Sequence, residues 1–203
     1  MPDLFRGIAS EFLAADAMHA DYERRFAAAD GLDSWKLERR QHFRDPQFAS
    51  WVAFDRGEWA QALRLLERER PSLAELQQET AARGIDLYRV RVVQEPIVPY
   101  LQWELHLLAL RAEYGEKIRV IGPEVVERYE SDGKLPELLT VGSHTVYEFA
   151  YDETGTLSGA HRYEDSEICT RCTDFMTELY AVGEDVASFF ARRVATAGLQ
   201  GKA

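Results

Sequence analysis

Residues 87–110, LYRVRVVQEPIVPYLQWELHLLAL, decide how this chain is to be read. Tyr88, Val90 and Val92 alternate with Arg89 and Arg91, the period of an extended strand whose successive side chains point to opposite sides. Pro96 and Pro99 then interrupt. Beyond them Tyr100, Trp103, Glu104, Leu107 and Leu108 recur at helical spacing. A strand that passes through prolines into an amphipathic helix opens an α/β unit.

Working outward, the C-terminal side alternates elements of both kinds. The pattern predicts a strand over Ile85–Val93, a helix over Pro99–Tyr114, a strand over Lys117–Ile121 and a short helix over Glu124–Tyr129. A turn at Asp132-Gly133 precedes strands over Leu138–Val141, Thr145–Tyr151 and Thr156–Tyr163, the last two joined through Asp152-Glu153-Thr154-Gly155 as an antiparallel hairpin. Helices over Ser166–Val182, capped by Asp165 or Ser166, and Glu184–Val194 close the chain, with the terminal GLQGKA expected to fray. Strands separated by helices favour parallel pairing and the hairpin is antiparallel, so the sheet is expected to be mixed.

On the N-terminal side the texture reads as helical from Asp3 to about Arg83. Phe5, Ile8, Phe12, Met18, Tyr22 and Phe26 recur every three to six residues, and Gly31 with Asp33 and Ser34 reads as a helix end followed by caps for the next. Asp45-Pro46 reads as the opening of another helix. SWVAFDRGEWAQALRLLERER predicts a helical hairpin about Arg56-Gly57 with Trp51, Phe54, Trp59, Ala62, Leu63 and Leu66 turned inward, similar to a single tetratricopeptide unit. A further helix from Pro71-Ser72 ends before Gly84. The expected organisation is a helical annex over 1–84 and a mixed-sheet α/β domain with C-terminal helices over 85–203, an α+β fold.

Composition narrows the function classes. The 203 residues are 46% hydrophobic and 11% aromatic, enough for a sizeable core. Asp and Glu number 35 against 24 Lys and Arg, a net charge of −11 that repels nucleic acid and anionic membranes, so neither is expected as a direct partner. The sequence shows no apolar run near the roughly 18 residues that span a bilayer, and MPDLFRGIASEFLAADAM lacks the basic start and hydrophobic block of a leader. A cytoplasmic protein is expected, and the two cysteines agree with a reducing compartment.

Three groups of residues invite chemistry. Cys169 and Cys172 sit one helical turn apart and, with His161 or His144, are the weak metal candidates, but four ligands are not in view and no metal is expected. Glu95, Tyr100, Trp103, Glu104 and His144 define a candidate pocket, Glu95 lying beyond the carboxyl end of the first strand, where open α/β sheets take ligands. The competing reading makes Tyr100, Trp103 and Leu107 helix-on-sheet core and leaves Glu104 as a surface charge or paired with Arg89, Arg91 or Arg111. No GxGxxG or GxxxxGK[ST] loop occurs, so no cofactor is expected.

His144 opens HTVYEFAYD, which with GTLSGAHRY resembles one half of a phospholipase D-like domain. The family's HxKxxxxD signature is incomplete here: His144 matches, Val146 replaces the lysine, and Tyr151 stands at the acid position with Asp152 one step late. Loss of the phosphate-holding cation argues against phosphodiesterase chemistry. RVRVVQEPIVPYLQWELHLLALRAEYGEKIRVI and VGSHTVYEFAYDETGTLSGAHRYEDSE further resemble an uncharacterised actinobacterial family, domain of unknown function 6879. That resemblance implies an accessory protein accompanying helix-turn-helix regulators. The expectation is a non-enzymatic partner-binding protein, the alternative a small-molecule sensor or enzyme with a pocket at the carboxyl ends of the strands.

Overall fold

The strand required by the alternation in residues 87–92 lies well inside the sheet, and the rest of the chain is built around it. The computed structural model describes residues 4, 5, 7–29 and 31–195. The elements in order are β1 (Glu11–Ala14), α1 (Ala15–Ala28), β2 (Ser34–Glu38), α2 (Ala49–Asp55), α3 (Trp59–Glu67), α4 (Arg70–Ala82), β3 (Leu87–Val92) and α5 (Pro99–Glu113). There follow β4 (Lys117–Ile121), α6 (Pro123–Val126), β5 (Leu138–Val141), β6 (Thr145–Tyr151), β7 (Leu157–Glu164), α7 (Ser166–Ala181), β8 (Glu184–Asp185) and α8 (Val186–Arg193). The strands form one eight-stranded sheet ordered β1-β7-β6-β5-β2-β3-β4-β8. β2, β3 and β4 run parallel and the remaining neighbours antiparallel, so the fold is α+β with a mixed sheet.

The wholly helical reading of residues 3–83 is corrected by β1 and β2, although Asp3 itself, like the tail over 198–203, lies outside the described residues. Within Ser34–Glu38, Trp35 and Leu37 alternate with Lys36 and Glu38, a strand period hidden by neighbouring helix-forming residues. Parallel register sets Leu37 beside Val90, and Ser34, expected as a cap, instead starts the strand and donates its hydroxyl to the Thr140 carbonyl at 2.7 Å. The sheet thus takes strands from both sides of Gly84.

Other local expectations hold. The α2–α3 hairpin turns at Gly57, whose φ of 77° a residue with a Cβ rarely adopts. It is tied to α5 where Trp103 Nε1 donates to Ser50 Oγ at 2.9 Å and that hydroxyl donates to the Ala62 carbonyl at 2.8 Å. Asp165 caps α7 by accepting from the Glu167 and Ile168 amides at 2.8 and 3.0 Å.

The sheet has two unlike faces. One is covered by α7 and is apolar, with Leu37, Val90, Val92, Leu138, Val146, Ile168 and Met176 in one buried cluster. The other carries α1 over the β5–β7 side, through Met18, Phe26, Tyr147 and Ala160, and α5 with α2, α3 and α8 over the β3–β4 side. Among the described residues no helix is long and apolar enough to cross a membrane.

Candidate ligand cleft

α1 and α5 stand on the same face of the sheet without closing over its middle strands, and a cleft of about 500 Å³ opens between them. Lys36 and Glu38 of β2 and Arg89 of β3 form its floor, Tyr100, Trp103 and Glu104 of α5 one wall, Met18 and Tyr22 of α1 the other. Phe43, Phe149, Tyr151 and Leu157 complete the enclosure. The volume falls in the range of small-molecule sites, and the mix of aromatic surface with a few convergent polar groups is their usual chemistry.

The floor is an ordered lattice of charge. Glu38 holds Lys36 Nζ at 2.8 Å through Oε1 and Arg89 at 2.8 Å through Oε2. Arg89 Nε reaches Glu116 Oε1 at 2.6 Å, and the second Glu116 oxygen takes Arg111 Nε. Glu104 pairs with Arg91 Nε at 2.7 Å and accepts from the Tyr100 hydroxyl at 2.9 Å. Arg91 is fully buried, donates through Nη1 to the Glu38 and Val92 carbonyls, and lies over the Phe43 ring, while its Nη2 has no hydrogen-bond partner. The arginines that alternate with valines in β3 therefore face a buried acidic layer rather than solvent.

Burial and neighbours set the proton affinities. Burial pulls the Lys36 ammonium below its usual range against the attraction of Glu38. It pushes Glu38 and Glu116 upward, but Arg89 and Lys36 outweigh it at Glu38, and Arg89 and Arg111 hold Glu116 down at about 2. At Glu104 burial prevails over Arg91, and the carboxyl stays above its ordinary range. Burial likewise pushes the Tyr100 and Tyr151 hydroxyls up, so both remain protonated donors near neutral pH.

The five residues expected to form a pocket separate into two groups. Tyr100, Trp103 and Glu104 line the cleft. Glu95 is half exposed in the β3–α5 turn and pairs with Arg193 of α8, and His144 sits exposed in the β5–β6 turn beside Ser143. The cleft lies over the sheet face rather than at the carboxyl ends of the strands. Cys169 and Cys172 lie on the buried face of α7, where burial raises both thiols, Cys172 to about 12, and His161 is exposed beside Ser10. Among the described residues no group of three or more His, Cys, Asp or Glu is placed to hold a metal.

Reasoning from the sequence missed Lys36, Glu38, Phe43, Glu116, Phe149 and Tyr151. The available signal for Lys36 and Glu38 was their alternation with Trp35 and Leu37; Glu116 carried none, because its partners lie on other elements.

A second charged knot fixes α1 to the sheet. Asp21 of α1 accepts from Arg25 at 2.8 Å, Arg162 at 3.0 Å and the Tyr147 hydroxyl at 2.7 Å. Burial raises its carboxyl, but those donors outweigh it and hold the pKa at about 2.

Comparison with known proteins finds a family model, described as a domain of unknown function (DUF6879), that matches residues 20–191. Curated proteins give no match. Among solved structures, the archaeal chromatin protein TrmBL2, reported to show a novel mode of DNA binding, aligns with a TM-score of 0.41 at 8% identity over 89% of this chain. The chain spans 56% of that protein's length, and so distant a likeness carries no argument about activity.

Proposed function

Because the chain belongs to the DUF6879 family, whose description assigns no activity, we propose from the geometry that it is a non-catalytic ligand-binding module. Its cleft takes a small organic molecule, and its exterior presents the bound state to a partner protein. The observation that carries this reading is the half-open cleft between α1 and α5, lined by aromatic rings over a charged floor.

Support for a non-catalytic role comes from how the floor groups are used. Glu104, the carboxylate a general base would require, is committed to Arg91 and Tyr100. The degenerate phospholipase D-like reading points the same way, since Val146, at the place of the signature lysine, is buried in the core beneath α7. Support for a protein partner comes from charge. Burial withdraws five carboxylates and three guanidinium groups from the described surface, which leaves the exterior strongly acidic. A helix-turn-helix regulator, whose basic surface complements that field, is the partner we favour.

Ligand-observed NMR against a fragment library tests the cleft. Binders are expected for the native protein and are expected to be lost in Leu157→Trp, which fills the cleft mouth. An absence of binders, or binders indifferent to Leu157→Trp, overturns the assignment.

A further inference from the structure

The charge lattice on the cleft floor is unbalanced. Four cations, Lys36, Arg89, Arg91 and Arg111, share three carboxylates, Glu38, Glu104 and Glu116. Every oxygen of those carboxylates already has a partner: Lys36 and Arg89 on Glu38, Arg89 and Arg111 on Glu116, Arg91 and Tyr100 on Glu104. The donors are in surplus. An ammonium has three N–H groups, and Lys36 spends one on Glu38 while remaining 29% exposed inside the cleft. The excess of cations over carboxylates and the unspent N–H groups of Lys36 favour a ligand that brings acceptors and a negative charge.

The surroundings of Lys36 select the rest of the ligand. In the antiparallel register Lys36 stands opposite Leu139, and its Nζ lies 5.8 Å from the centre of the Phe149 ring. Leu157 lines the same side. Asp16 and Asp45 line the cleft too, but they are exposed, where water and salt screen their repulsion, whereas Lys36 is half-buried.

We propose that the cleft floor binds a small organic acid, its carboxylate seated on Lys36 and its apolar or aromatic body against Phe149, Leu139 and Leu157. This assignment rests on the cleft reading above and adds the charge and shape of the ligand. A carboxylate there restores one-to-one pairing of charge, and its charge-assisted hydrogen bond is strengthened by the low dielectric around it.

Calorimetric titration with a panel of benzoate, phenylacetate, indole-3-acetate and isovalerate, each beside its neutral amide, and with inorganic phosphate, tests the proposal. At least one acid is expected to bind ten-fold or more tightly than its amide. Lys36→Met is expected to weaken that acid at least ten-fold and Lys36→Arg by less than three-fold, with unfolding transitions recorded to show that both variants fold; should Lys36→Met fail to fold, the acid–amide ratio decides alone. Amides that bind as well as acids, with both lost in Leu157→Trp, overturn the organic-acid assignment and leave the cleft reading standing. Phosphate binding that depends on Lys36 without binding of any acid also overturns it. No binding of any acid or amide, with fragments still bound in the cleft, overturns the organic-acid assignment alone; a fragment screen that also finds no cleft binder removes both readings.

Discussion

The two faces of the sheet are made from the same strands and obey opposite rules. Leu37, Val90 and Val92 point toward α7 into a core without charge, while Lys36, Glu38, Arg89 and Arg91, one residue along the same strands, point toward α5 into a layer of ion pairs. The first face is explained by removal of apolar surface from water, worth roughly 25 cal/mol per Å². Ion pairs so placed gain little over apolar packing, because desolvation of the charges offsets their attraction. Stability alone therefore gives no reason for the second face, whereas the charged ligand proposed above would supply one.

Breaking one pair in the lattice should produce the largest effect. Arg91→Met leaves Glu104 buried beside the other carboxylates, and urea unfolding is expected to show a loss of roughly 3–5 kcal/mol. The loss should shrink as pH falls, because Glu104 then takes a proton. The double variant Arg91→Met, Glu104→Leu is expected to recover at least half of it; a double variant as unstable as the single one would show that the lattice stabilises in its own right. On the other face Leu37→Ala removes buried methyl groups and should cost about 3 kcal/mol, with no recovery at low pH. A pH-dependent loss in Leu37→Ala would erase the distinction between the faces.

The same contrast explains what was legible from the sequence. β3, α5, β4 to β7 and α7 were readable because their apolar residues follow one period over most of their length, as in Leu138–Val141 and Thr145–Tyr151. β2 was not, because five residues rich in helix formers carry the alternation of Trp35 and Leu37 only once. For the site, the pairing of Glu104 with a β3 arginine was among the readings of residues 87–110, and Arg91 is the one it takes. The alternation of Arg89 and Arg91 signalled a strand, but not which side of it was wet. Period-two patterns report that two faces differ, and a face covered by acidic partners on other elements reads as solvent. His144 and Glu95 stood out for chemical type alone, and no periodicity connected them to the cleft.

The Asp21 knot that holds α1 in place gives a smaller, pH-resolved effect. Its folded pKa of about 2 lies below the ordinary aspartate value of 3.8, so its contribution is complete above the unfolded value and disappears as pH falls through the folded one. A depression of that size corresponds to roughly 2 kcal/mol. Native stability should accordingly fall between pH 5 and pH 2, by roughly that much from this group, and Asp21→Asn should flatten the curve there. An unchanged slope in Asp21→Asn would locate the acid sensitivity elsewhere, with Glu116 the next group to substitute.

The smallest effect is expected where the α7 face holds its two thiols. Cys169 and Cys172 are 3% and 0% exposed and pack beside Ile168 and Met176, so they belong to the uncharged side of the comparison. The thiolate is the reacting species, and burial raises both thiols, Cys172 to about 12. An aromatic disulfide reagent should leave both unmodified in the folded protein at neutral pH and titrate both once urea unfolds it. Cys169→Ala should leave ligand binding unchanged, because its side chain lies on the opposite face from Lys36. Rapid labelling of the native protein would mean that the α7 face opens to solvent, and the apolar side could then no longer serve as the dry reference for the charged one.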